Sequence, residues 1–370
     1  MQWFRKYLLP GFVIQSATIG GAYGTGAELK EFFLPFGTMG GLLGMVVSMT
    51  LFSVLIAIAF EVSRRAKVYD YLSFSKELLG KGAFIYEILY LATMILIISV
   101  VGAAAGQICQ DAFGIPAYIG TIGIMIAIGY LVFYGTATIE KFFAVWSLVL
   151  YGAYMIFLAW NLLQNGDQIG AAFADASVND GWALSGLKYT GYNIAMLPVL
   201  LFTVRHMTSR KESITAGLMA GPIIMVPAVL FFFAMIGHYD TLMAPDMSEV
   251  PVTYLLSQLE GAGFFTILFP IVLFGTFIET GTAMIHGLNE RIAHRYEERG
   301  QEMPQKLRPI IAVGVLFTAI VMADALGLVG LIADGYGTIT YGFIVFLVIP
   351  LLTIGVYKAT RKETEIDLSV

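Results

Sequence analysis

Apolar runs of about twenty residues or more follow one another along the chain, separated by short stretches rich in charge, glycine and proline. A helix of that length crosses a hydrocarbon core of about 30 Å. Reading the runs against turn and charge punctuation predicts ten helical segments, near 8–34, 38–63, 83–112, 116–134, 138–163, 183–208, 212–237, 263–293, 308–328 and 331–357. No stretch is left over for a separate soluble domain, so residues 1–370 read as one all-α transmembrane unit. The first run is read as a helix and not as a signal peptide, because Gln15 and a glycine run interrupt it and no clear cleavage site follows.

Composition agrees with this pattern. Hydrophobic residues make up 58% of the chain and charged residues 13%, against about 25% charged in a soluble domain. A single cysteine, Cys109, excludes an intramolecular disulfide framework, and four scattered histidines argue against a dedicated metal centre. The net charge of −5 matters less than where the charges fall. With the N-terminus in the cytoplasm, nineteen of the twenty-one Lys and Arg lie on inner segments, and only Lys30 and Lys188 lie elsewhere. The positive-inside rule therefore favours ten crossings with both termini cytoplasmic. The outer loops 164–187 and 238–262 carry acidic residues and no Lys or Arg, and their length suits them to cap an outer vestibule.

Ten segments divide into two sets of five, 8–163 and 183–357. Five is odd, so the second set enters the membrane from the opposite side and the two form an inverted repeat. In such architectures, solute and ion sites lie near the midplane where corresponding helices are broken. The first segment carries Gly20-Gly21-Ala22-Tyr23-Gly24-Thr25-Gly26, and the sixth carries Gly191-Tyr192-Asn193-Ile194-Ala195-Met196-Leu197-Pro198. Both open their half. Glycine loosens the helix and Pro198 lacks an N–H, so a break is expected in each.

The run from Gly20 to Glu28, together with Tyr192-Asn193-Ile194-Ala195 and the Gly287-Leu288-Asn289-Glu290-Arg291 exit of segment 8, resembles the YkvI-type bacterial membrane proteins, which belong with the LeuT-fold transporters. That family usually reads Gly-Ala-Gly-Phe-Ala-Ser-Gly where this chain has Gly20 to Gly26, so Tyr23 is a departure. The resemblance implies a five-plus-five inverted repeat in the bacterial cytoplasmic membrane. It also implies alternating access, and a solute site between segments 1, 3, 6 and 8. It further implies that segment 8 gives side-chain oxygens to a sodium ion whose other ligands are segment 1 carbonyls.

If segment 1 breaks at the glycines, the outer half begins near Gly24, Thr25 and Gly26 with a positive dipole end that suits a substrate carboxylate. The inner half ends in free carbonyls at Ile19, Gly20 and Ala22 that suit a cation. The alternative is a small-residue packing face, since Gly20 and Gly24 form a Gly-xxx-Gly pair. Tyr23, Tyr192 and Asn193 offer groups that orient a polar solute, although Asn193 equally suits an interhelical hydrogen bond. Ser99 on segment 3 is a weaker candidate. Thr276, Glu279 and Thr280 share one face of segment 8, where a carboxylate costs roughly 2.5 to 3.5 kcal/mol at a helix centre. Glu279 then serves as a sodium ligand, a proton carrier or a buried protonated acid. Glu28 lies on the outer half of segment 1, close enough to the vestibule to attract cations or pair with Lys30 or Lys188; the alternative is a favourable charge in a helix's first turn. His286, Glu290 and His294 recur every four residues, but their interfacial position reads as a solvated helix exit.

These features add up to a secondary transporter for a small zwitterion or amine, such as an amino acid or a similar osmolyte, with sodium as the coupling ion. Proton coupling, exchange and uniport are the alternatives on the same fold. A channel would repeat like residues around one pore, and an enzyme would need a paired nucleophile and base; neither pattern appears. No cofactor, nucleic acid or obligate protein partner is implied beyond the solute and the bilayer.

Overall fold

The computed structural model describes residues 2–19, 22–134, 136–174, 176–244, 249–297, 300–304 and 306–361. In chain order the elements are α1 (Gln2–Tyr7), α2 (Leu9–Ile19), a 3-10 turn (Ala22–Thr25), α3 (Ala27–Phe32), α4 (Thr38–Ala66), α5 (Tyr71–Leu79), α6 (Ala83–Phe113), α7 (Ala117–Tyr134), α8 (Thr136–Gln164), α9 (Gly166–Ala174) and α10 (Trp182–Asn193). A 3-10 run (Ile194–His206) leads to α11 (Arg210–Ile236), α12 (Tyr239–Leu242), α13 (Pro251–Ser257), α14 (Phe265–Glu297) and α15 (Leu307–Gly330). The chain then stays helical to Thr360, with α16 (Gly337–Phe343) and α17 (Val356–Thr360) set among π-helical turns. Among the described residues there is no strand.

Among the described residues, five stretches are long and apolar enough to cross a membrane: Thr38–Ala66, Tyr71–Phe113, Arg210–Ile236, Phe265–Ala293 and Leu307–Thr360. The last has 54 residues, about 80 Å of helix and more than twice a hydrocarbon core. Its continuity is broken at Gly327, whose φ of 66° and ψ of 177° are not helical. The limb before the break packs on α6, α7 and α14. Beyond it, α16 lies against α10 and the last π turn against α4. Segments 9 and 10 of the sequence reading are these two limbs.

Tight packing follows from small residues. α11 runs along α4, and a Cβ on Gly217 would sit 2.3 Å from the Ala57 Cα, so only glycine allows this approach. Pro222, inside α11, cannot donate to the Leu218 carbonyl four residues back. Ser53 Oγ on α4 donates to it instead at 3.0 Å, which satisfies a group that hydrocarbon could not.

Ion pairs tie several helix ends together. Ser209 caps α11 by accepting from the Glu212 N–H, and Glu212 in turn accepts from the Thr208 N–H at 2.7 Å, a reciprocal capping arrangement. Lys6 Nζ lies 2.6 Å from the same carboxylate, joining the N-terminal residues to α11. Glu61, with no exposed surface, receives Arg64 through two hydrogen bonds of 2.8 Å and the Ser213 hydroxyl at 2.6 Å.

Candidate functional site

Segment 1 is not one α-helix. α2 ends at Ile19, Ala22 opens the 3-10 turn, and Gly26 takes φ 84° and ψ −7° before α3 begins. Left-handed backbone of this kind costs an ordinary residue roughly 1 to 2 kcal/mol. Space forbids a side chain as well, since a Cβ on Gly26 would meet the Phe231 ring at 2.8 Å and Pro251 at 3.1 Å. Pro251 opens α13, and α13 packs on the 3-10 turn. Gly20, expected to give a carbonyl to an ion, lies outside the described residues.

Segment 6 changes from α to 3-10 geometry along its length. α10 gives way at Asn193 to a 3-10 run of thirteen residues, far longer than the three or four usual for that helix.

These two irregular stretches meet. Glu28 is 3% exposed, and its carboxylate accepts a hydrogen bond from the Tyr192 hydroxyl and another from the Tyr23 backbone N–H. This corrects the expectation of a vestibule carboxylate paired with lysine. Lys188 instead lies over the Tyr341 ring, 5.4 Å from its centre. Among the described residues, the groups bonded to the buried Glu28 carboxylate are the Tyr192 hydroxyl and the Tyr23 N–H.

The turn after α2 is also satisfied from within. Gly26 N–H donates to the Tyr23 carbonyl at 3.0 Å, and Ala27 N–H to Thr25 Oγ1 at 3.2 Å. The Tyr23 N–H is given to Glu28, one residue before the Gly24 to Gly26 groups that the sequence reading offered to a substrate carboxylate. Gly24 and Thr25 are buried in the same turn.

Tyr192 belongs to a cluster of aromatic rings. Tyr192 stacks on Tyr336 with centres 4.4 Å apart and planes at 10°, and Tyr189 and Phe32 pack on Tyr192 at 5.6 and 5.4 Å. Tyr23 stacks on Tyr154 at 6.4 Å. The negative faces of such rings attract cations. Of these residues Tyr154, Tyr189 and Tyr336 were not singled out in the sequence, where nothing separates a site tyrosine from the many others in apolar helices.

The remaining candidates sit apart or are engaged within their own helices. Asn193 Nδ2 donates to the Tyr189 carbonyl at 3.1 Å, and Ser99 Oγ to the Ile95 carbonyl at 2.8 Å. Thr276 Oγ1 donates to the Val272 carbonyl at 3.1 Å, which leaves its lone pairs available to a cation. Thr280 is buried and Glu279 half-buried on α14, which packs on α6, α7 and α8.

No protein-family model matches the chain. It is 23% identical over 287 residues to the uncharacterized membrane protein YkvI of Bacillus subtilis (strain 168), covering 76% of this chain and 79% of that protein. Among solved structures, MhsT in complex with L-phenylalanine superposes with a TM-score of 0.61 at 16% identity, covering 96% of this chain and 93% of MhsT. The chain has the LeuT fold. A manganese transporter from Eremococcus coleocola gives a TM-score of 0.59 at 14% identity, over 96% of this chain and 78% of its own. A Na+-coupled sialic acid symporter in a substrate-bound outward-open state gives 0.55 at 12% identity, over 94% and 87%. None of these proteins is described as an enzyme.

Proposed function

We propose that this LeuT-fold membrane protein is a secondary transporter whose solute carries an amine, and that Glu28 is the group the amine meets. The observation that carries this reading is the buried Glu28 carboxylate, held between the Tyr192 hydroxyl and the Tyr23 N–H beside a cluster of aromatic rings. A protonated amine fits such a place twice over, through charge on Glu28 and through the ring faces. A solute carboxylate, in contrast, would meet Glu28 at the helix end. The solute class thus narrows from zwitterion or amine toward amine.

In this reading residues 8–163 and 183–357 are the two inverted repeats, ten crossings in all, with both termini in the cytoplasm. The stretches around Gly26 and Asn193 are the midplane breaks of segments 1 and 6. Tyr23, Gly24, Thr25 and Gly26 shape one wall of the site, Tyr192 and Asn193 the other, and Ser99 lies behind on α6. Sodium is the coupling ion, held as co-substrate by Thr276, Glu279 and Thr280 with carbonyls of Ile19, Gly20 and Ala22. Support for sodium comes from the fold shared with a Na+-coupled symporter and from the oxygen-bearing face of α14. Alternating access then requires α13 to leave the 3-10 turn on the outer side and the Lys6–Glu212 contact to open on the inner side.

A thermal-shift series on purified protein tests this. Amines and amino acids are each added in sodium and in choline buffer, and stabilisation follows RT ln(1 + [L]/Kd). The expected result is stabilisation by one class of amine, larger in sodium. Stabilisation by carboxylates that lack an amine, with none by amines, would refute the reading.

A further inference from the structure

α7, α14 and α15 pack on one another, and between them lies a pocket of about 360 Å³. His286 and Asn289 of α14 and Arg308 of α15 line it together with Phe133 of α7 and with Val313 and Leu316 of α15. None of these residues belongs to the Glu28 cluster. The character of the lining changes along α15. Arg308 stands in the first turn of that helix, and Leu316 follows eight residues later, about 12 Å further on. The connection from α14 to α15, residues 298–306, carries Glu298, Arg299, Glu302 and Lys306, too much charge for hydrocarbon, so the Arg308 end of the pocket lies at the boundary of the membrane. Phe133 and Val313 are 76% and 66% exposed, so the apolar part opens on the surface that faces lipid chains.

An occupant matched to this lining carries an anion at one end and hydrocarbon at the other. The guanidinium of Arg308 is a planar fork of N–H donors that fits the oxygens of a phosphate group. The imidazole of His286 offers an N–H in either protonation state. The first turn of α15 adds the positive end of a helix dipole on the same side. No Asp or Glu is among the described lining residues, so the ammonium of a zwitterionic head group would find no carboxylate here. A free phosphate ion would use the polar part and leave the apolar part uncovered. We propose that this pocket seats the phosphodiester of an anionic phospholipid, which reaches it from the bilayer. The volume suits a head group and not a whole lipid, and the chains run out past Phe133 and Val313. Bound there, the head group joins α14 to the start of α15 across their charged connection. This site is independent of which solute the protein carries.

The test uses full-length protein in phosphatidylcholine nanodiscs doped with one of two photoreactive probes, a phosphatidylglycerol or a phosphatidylcholine with the same diazirine-bearing chain. After illumination, labelling of the peptide that contains Phe133 is quantified by mass spectrometry. Phosphatidylglycerol should label about fivefold more strongly than phosphatidylcholine. Equal labelling in the unmodified protein would overturn the proposal, and this comparison does not depend on any variant folding. Arg308→Gln should lower phosphatidylglycerol labelling about tenfold, whereas Lys306→Gln, at an exposed position next to the site, should lower it much less. An equal fall in the two variants would mean diffuse attraction to surface charge and would also overturn the proposal. Inorganic phosphate at about 20 mM, compared with chloride of equal ionic strength, should leave the labelling in place, because a free ion lacks the chains. Displacement by inorganic phosphate would overturn the assignment to a lipid.

Discussion

The Tyr192 hydroxyl donates to the Glu28 carboxylate across 164 positions of sequence, linking the short helix after Gly26 to the end of α10. Each partner sits where its own helix loses regularity. The contact therefore reports on how the two irregular stretches are held together, and its two sides can be tested separately.

Glu28→Gln keeps the shape of the side chain and its ability to accept from Tyr192, and removes the charge. Hydrogen bonds to charged groups contribute about 1.5 to 3 kcal/mol, so affinity for an amine solute should fall about 10- to 100-fold. Isothermal titration of wild type and variant measures this. Unaltered affinity would take Glu28 out of the binding step.

Tyr192→Phe keeps the stack on Tyr336 but deprives the buried carboxylate of a donor. A buried group left short of a hydrogen bond costs about 1 to 3 kcal/mol, and thermal unfolding in detergent should record the loss. If the variant melts with wild type, the hydroxyl contact carries no structural weight.

Gly26→Val forces a β-branched residue into left-handed backbone under the Phe231 ring. Solute binding should be abolished while membrane insertion and a monodisperse gel-filtration profile persist. Wild-type binding by this variant would mean that the turn is not part of the solute site.

Glu279→Gln separates the coupling-ion readings. As a sodium ligand, the carboxylate should lose its effect with its charge, so the dependence of solute affinity on sodium flattens, and Thr280→Ala shifts it more mildly in the same direction. As a proton carrier, the Gln variant should bind solute at every pH yet fail to accumulate it in proteoliposomes. Unchanged sodium response and uptake would make Glu279 a structural group.

Helix positions were legible because apolar runs in a membrane protein end where charge, glycine and proline collect. α4, α6, α7, α11 and α15 begin and end within three residues of the predicted limits. The short helices α5, α9 and α13 were not legible, since in mixed loop sequence no long periodic face announces them. The two irregular stretches could be seen from Gly24, Gly26 and Pro198, whose chemistry is local. The role of Glu28 could not. Two residues after Gly26 it looks like a charge in a helix's first turn, and only the partner on α10 shows that it is enclosed. Ser99, Thr276 and Asn193 are undecided by sequence for the related reason that a polar side chain in an apolar helix bonds to its own backbone as readily as it serves a ligand.

The 3-10 run of Ile194–His206 holds a difference in length. A 3-10 helix rises about 2.0 Å per residue and an α-helix about 1.5 Å, so thirteen residues changing from one to the other would shorten by about 6 Å. The same change, from 3.0 to 3.6 residues per turn, would unwind roughly 260° of rotation along the run. One end is anchored at the aromatic cluster by Tyr192. The other carries Arg205 and His206 in its last turn. Rewinding that stretch would act as a screw thread, converting a contact at Glu28 into axial and angular travel at the opposite side of the bilayer.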